Sequence, residues 1–146
     1  MEEQVTERMV IGASPGHCYK ILTDFERYPE WAADIKAVTV DERDTQGRAT
    51  VVTFRAAAFG RSTSYTLRYD YAEAPRSLSW QQVTGDVTRK LDGSYEINPG
   101  EDESSADVTY HLVVELKVPL PVFVKRRAEG RIAHTALKEL GVRAEA

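Results

Sequence analysis

Between Ile35 and Val118, alternating apolar and polar runs follow one another with only short, turn-like segments between them. The runs are Ile35–Glu42, Arg48–Ala57, Ser62–Ala72, Ser77–Thr84, Leu91–Asn98 and Asp107–Val118. In the last, Val108, Tyr110, Leu112, Val114 and Leu116 alternate with Thr109, His111 and Glu115. A period of two marks a half-buried strand, because successive side chains point to opposite faces. Connectors such as "DTQGR", "FGR" and "EAPRS" are too short for a crossover between parallel strands, so consecutive strands must pair antiparallel. "NPGEDESS" is a longer, acidic turn.

The flanks complete the pattern. Val5 to Ile11 reads as a first strand, with Val5, Met9 and Ile11 on one face, Thr6 and Arg8 on the other, and Glu7 interrupting the apolar side. Ser14 is a good helix N-cap, and Pro15 suits the first helical position, where its missing N–H would have no partner. Cys18, Ile21, Leu22 and Phe25 then fall at helical spacing. Pro29 cannot continue that helix, so "FERYPEWA" is a break followed by a second short helix or turn. After the last strand "PLP" is a stop, and Pro121 to Arg143 reads as a helix of about 34 Å at 1.5 Å per residue. Its most continuous apolar stripe is Val124, Ala128, Ile132, Ala136 and Leu140. The order predicts an α+β arrangement: one antiparallel sheet of seven strands, two short helices after the first, and a long helix packed across it. A bent sheet that closes on a helix leaves room between the two.

Composition narrows the function classes. A chain of 146 residues is read as a single domain over 1–146. The net charge of −4 is spread in mixed fashion, with no basic stripe to engage nucleic acid. Cys18, the only cysteine, excludes an internal disulfide and a multi-cysteine metal site. Three scattered histidines make no ligand set, and no recognised phosphate loop is present, so neither metal nor cofactor is expected. No apolar run is long enough for a membrane span, and the charged start "MEEQVTERMV" is unlike a signal peptide. A soluble, cytoplasmic protein is expected, with its oligomeric state left open.

Alternation also assigns an inward face. It carries Val52, Phe54 and Ala56; Tyr65, Leu67, Tyr69 and Tyr71; Leu78, Trp80 and Gln82; Leu91, Gly93, Tyr95 and Ile97; and Val108, Tyr110, Leu112 and Val114. Two readings of these rings stand side by side. They fill a core, or they line a pocket with apolar area and sparse polar tips. Arg55, Arg68, Arg89 and His111 fall on the outer face, His17 on an exposed helix surface, and Arg127, Arg131 and His134 read as surface charge beside the helical stripe, with one of them pointing into the cavity mouth as the alternative. Cys18 reads as an inert core thiol. Nothing brings Ser, His and Asp together, so no catalytic residue is assigned.

The opening "ASPGHCYKILTDFERYPEWAADIKAVTV" carries a small-residue-plus-proline helix start (Ala13, Ser14, Pro15), then Asp24, then Tyr28, Pro29 and Trp31, then Val38 and Val40. With "APRSLSWQQVTG" and "LDGSYEI" further on, it resembles the START-like (SRPBCC, helix-grip) superfamily, in its polyketide cyclase/dehydrase or coenzyme Q-binding-like branch. The resemblance spans nearly the whole chain. It implies the helix-grip fold, a seven-stranded antiparallel sheet curved around the C-terminal helix with an apolar cavity between. "DFERYPEW" would then be core and cavity wall, with Trp31 plugging one end of the fold. The implied ligand-binding residues are Phe54, Tyr65, Leu67, Tyr69, Trp80, Tyr95 and Leu112 on the sheet and Ala128, Ile132 and Ala136 on the helix. The implied partner is a hydrophobic small molecule: a lipid, an isoprenoid quinone or a polyketide. A polyketide cyclase/aromatase or dehydratase, and an interaction or chaperone module without its own ligand, are the alternatives, since a fold does not fix a function.

Overall fold

The first strand, β1 (Glu3–Ile11), leads through Ser14 into α1 (Pro15–Thr23), where the Ser14 hydroxyl accepts from the His17 amide at 3.2 Å. These coordinates, a computed structural model, describe residues 3–58, 61–117 and 121–146. A 3₁₀ helix, Phe25–Glu30, takes in Pro29 and is followed by β2 (Ile35–Arg43), β3 (Ala49–Ala58), β4 (Arg61–Asp70), β5 (Ser77–Gly85), β6 (Thr88–Pro99), β7 (Ala106–Leu116) and α2 (Val122–Glu145). All pairings are antiparallel, in the order β1-β7-β6-β5-β4-β3-β2. The meander read from the short turns is present. In "DTQGR", Gly47 adopts a φ of 81°, and the Asp44 carboxylate accepts from the amides of Gln46 and Arg48, each at 2.9 Å. Phe59 and Gly60 of the "FGR" turn, Val118, and Pro119 and Leu120 of "PLP" lie outside the described residues.

β1 and β2 are the two edges of the sheet, so the chain must travel from one edge to the other before the meander begins. The segment that does so is α1 with the 3₁₀ helix, which closes one end of the sheet. Helix α2 packs chiefly on β1, and on β7 and α1. Its sheet-facing side is Ala133, Leu137, Leu140 and Ala144, all buried in one core with Ile11, Cys18, Leu22, Val108 and Leu112. Three polar ties fix the C-terminal half of the helix to the closing segment. Glu139 Oε2 accepts from the Ala33 amide at 3.0 Å, Glu145 Oε2 accepts from the Gly12 amide at 3.1 Å, and Arg143 Nη2 donates to Glu30 Oε1 at 2.8 Å.

Several expectations shift in detail. β4 ends at Asp70, and Tyr71 beyond it turns its hydroxyl to the Ala49 carbonyl at 2.6 Å under the Arg48 guanidinium. β6 starts at Thr88, earlier than Leu91, across an irregularity in its pairing with β7. The stripe Val124, Ala128, Ile132 and Ala136 is not the face that packs on the sheet. Val124 is 39 % exposed, the other three are half-buried, and only Leu140 is in the core. The packed face continues toward the helix start through Lys125 and Glu129, both buried, with Nζ and Oε1 3.7 Å apart. Their long stems bury as apolar chains do, which a count of charged letters hides.

Candidate ligand cavity

The stripe displaced from the sheet borders an empty space. Between α2 and strands β3 to β7 lies a cavity of about 620 Å³, within the range of about 300–1,000 Å³ usual for small-molecule sites. Phe54, Tyr65, Leu67, Tyr69, Trp80, Tyr95 and Leu112 line it from the sheet, and Ala128, Ile132 and Ala136 from the helix. The inward face assigned by alternation is thus a cavity wall.

The wall is a continuous set of aromatic rings. Trp80 sits at its centre, with ring centroids 5.8 Å from Tyr69, 5.5 Å from Tyr95 and 5.9 Å from Tyr110. Phe54 stacks on Tyr65 at 5.4 Å, and Phe25 reaches Tyr69 at 4.5 Å. "DFERYPEW" supplies the end wall. Tyr28 is 4.9 Å from Trp31 and 5.8 Å from Phe54, and its hydroxyl donates to the Leu22 carbonyl at 2.5 Å. Tyr28 and Trp31 both border the cavity. Trp80 has room to lie inward because its cross-strand neighbour is Gly93, where any side chain would meet the indole.

The tyrosines of this wall differ in how their oxygens are used. Tyr28 is hydrogen-bonded, whereas Tyr65, Tyr69, Tyr95 and Tyr110 bond to none of the described residues, and none of their oxygens is walled in. Burial, foremost, raises the pKa of all five, and their mutual proximity adds to the rise for Tyr28, Tyr69, Tyr95 and Tyr110. The Asp34 carboxylate pushes Tyr65 the same way, and Glu139 pushes Tyr95. These phenols therefore stay protonated and act as donors, not as bases. The unfolded chain ionises its tyrosines near their ordinary value of about 10 while the folded chain holds them neutral, so unfolding releases protons above that pH. Their stabilising contribution is complete below about pH 10 and is lost as pH rises through the folded values. A urea midpoint that falls steeply above pH 10, in step with the tyrosinate absorbance, is the expected result.

The lining extends beyond the residues assigned to it from the sequence. Arg127 and Arg131 border the cavity rather than serving only as surface charge, while His134 is exposed and outside it. Arg55, Arg68 and Arg89 are exposed, as the outer face requires, and Cys18 is fully buried, its thiol pKa raised by burial first and Glu145 second. Thr63, Asp34, Arg61, Thr88, Thr135 and Glu139 also contribute. The parity of Thr63 with Tyr65 and the helical spacing of Glu139 from Ala136 and Ile132 were usable signals. Thr88 gave none, because the irregularity between Thr88 and Lys90 resets the alternation. Gln82 is inward but not in the lining: it donates to the Thr88 carbonyl at 2.9 Å and accepts from the Thr88 hydroxyl. Among the described residues no three His, Cys, Asp or Glu side chains gather around a possible ion position.

The sequence profile of the family described as "Polyketide cyclase / dehydrase and lipid transport" matches residues 11–140, most of the chain. This chain belongs to that family. Among solved structures, a START superfamily protein from Mycobacterium smegmatis is 25% identical, with 97% of each chain covered and a TM-score of 0.92. The Zhui aromatase/cyclase from a Streptomyces species is 14% identical over 99% of this chain and 94% of its own, with a TM-score of 0.85. The di-domain ARO/CYC protein BexL is 18% identical at a TM-score of 0.77, and this chain covers 46% of it. No curated protein sequence matches significantly. The family member described here therefore has the START helix-grip fold. No helix among the described residues is long and apolar enough to cross a membrane.

Proposed function

We propose that the cavity binds one apolar small molecule bearing several oxygen atoms, of polyketide or isoprenoid-quinone type. The observation that carries this reading is the set of four neutral tyrosine hydroxyls, on Tyr65, Tyr69, Tyr95 and Tyr110, left without protein partners around an otherwise apolar space. A buried hydroxyl deprived of a partner costs about 1–3 kcal/mol. A plain hydrocarbon chain would displace water from these donors and give nothing back. Carbonyl or phenol oxygens on a flat, apolar body would accept from them and lie between the rings. The family description, which joins polyketide chemistry and lipid transport, agrees with such a ligand.

The test uses Trp31 and Trp80, both in the wall, as reporters. Titration with a dihydroxyanthraquinone should quench tryptophan emission to saturation, and a fatty alcohol of similar volume should bind at least about tenfold more weakly, the worth of one net hydrogen bond. Equal binding of the two would point to a lipid carrier. Absence of any binding would favour a module that acts through its surface. An aromatase/cyclase reading of the same site is favoured by one further observation. Glu139, whose charge is felt at Tyr95, places a carboxylate base among phenol donors, the pairing that takes a proton from a β-ketone carbon while a donor holds the enolate oxygen. Formation of aromatised product from a poly-β-ketone in the presence of the protein is the assay for it.

A further inference from the structure

Three arginines border the cavity: Arg61 at the start of β4, and Arg127 and Arg131 one turn apart on α2. All three are exposed, and none makes an ion pair or hydrogen bond to a described residue. Arg8, Arg27, Arg43, Arg48, Arg89 and Arg143 are each paired with a carboxylate, whereas the guanidinium groups of Arg55, Arg68 and Arg76 share the unpaired state of these three but lie outside the cavity. The first ten residues of α2, Val122 to Arg131, hold four cations and one acid, and the first turn holds no acid. Lys125 and Glu129 face each other in the core, which leaves Arg127 and Arg131 without a local counter-charge.

The acids at the same cavity are not ion-paired with these arginines. Glu139 lies two turns beyond Arg131, its Oε2 accepts from the Ala33 amide at 3.0 Å, and no ion pair links it to any of the three. Asp34 borders the cavity beside the start of β2 and acts on Tyr65, and no ion pair links it to any of the three arginines. The three guanidinium groups thus border a largely apolar wall.

We infer that the ligand is an amphipathic anion, its apolar body within the ring-lined cavity and a carboxylate or phosphate group held by Arg61, Arg127 and Arg131. This rests on the cavity reading proposed above and adds the ionic group to it. Guanidinium forks suit both anions, because each presents paired oxygens to parallel N–H donors.

A matched pair of probes tests it: an anthraquinone carboxylate and its uncharged methyl ester, titrated against tryptophan emission. The acid should bind about tenfold more tightly than the ester at low salt, and the advantage should shrink as salt rises. In the triple variant Arg61→Gln, Arg127→Gln and Arg131→Gln the acid should lose its advantage over the ester. Arg55→Gln, on the outer face of β3, should keep the full preference. Equal affinity of acid and ester for the wild type would overturn the inference while leaving the cavity reading intact. Sedimentation with phosphatidylglycerol vesicles, lost in the triple variant and unaccompanied by any preference for the acid, would also overturn it, because the arginines would then read a bilayer surface. Binding of neither probe would remove the cavity reading and this inference together.

Discussion

Ala136→Phe should lower the affinity for any cavity ligand by about a hundredfold or more, close to 2.7 kcal/mol, while the protein stays folded. Ala136 is half-buried on the side of α2 that faces the cavity, next to Ile132 and one turn from it. A phenyl group there enters space that is already empty, so the usual overpacking cost of about 1–3 kcal/mol should be met only at its lower end. Ala133→Phe is the control. Ala133 has no exposed surface and lies on the helix face packed into the core with Leu137 and Leu140. The same insertion there must push α2 off the sheet and should cost more than 3 kcal/mol. Urea unfolding of both variants, with titration of the dihydroxyanthraquinone, separates the cases. If the two variants are equally destabilised, the space beside Ala136 is not available to a side chain, and the cavity is not there to be filled.

The contrast between these adjacent faces shows where sequence reasoning works. The order of elements along the chain, the antiparallel meander and the existence of α2 follow from period, turn chemistry and Pro121, all of them local signals. The inward parity of Phe54, Tyr69, Trp80, Tyr95 and Leu112 is legible for the same reason. What was not legible depends on contacts between distant segments. The pairing of β1 with β7 joins residues a hundred positions apart, as in Thr6 opposite His111, and no local pattern encodes it. Irregularities at Val40/Glu42, Thr66/Leu67 and Thr88/Lys90 shift the parity along the strands without a glycine or proline to announce them. On α2 the apolar stripe is visible, but which of two candidate faces meets the sheet is decided by tertiary packing. The packed face includes Lys125 and Glu129, and the more apolar stripe fronts the cavity. That inversion is also why Arg127 and Arg131, beside the stripe, read as ordinary surface charge.

Gly93→Ala should be the most damaging single-methyl change in the sheet, and its sign runs against the general rule. Replacing a strand glycine by alanine ordinarily stabilises, by about 0.4–1 kcal/mol, because the unfolded chain loses freedom. Here the added Cβ would lie 2.5 Å from the His111 carbonyl oxygen and 2.6 Å from the Trp80 ring. The carbonyl is held in the sheet, and the indole can move only toward the cavity. Gly93 is paired on one side with Trp80 and on the other with Leu112, so the backbone is held from both directions. Trp80 in turn touches Tyr69, Tyr95 and Tyr110, and any swing of its ring must enter the cavity. A destabilisation of about 3 kcal/mol, at the upper end for overpacking, is expected, together with weaker binding of the quinone probe. The double variant Gly93→Ala with Trp80→Leu identifies which obstacle dominates. If the indole is the main clash, the double variant should be less destabilised than the sum of its two single changes. If the His111 carbonyl dominates, the two losses should add, because removing the ring does not free the ladder. A Gly93→Ala protein within about 0.5 kcal/mol of the wild type, the additivity error of such measurements, would mean that the close approach of Trp80 is not what fixes glycine at this position.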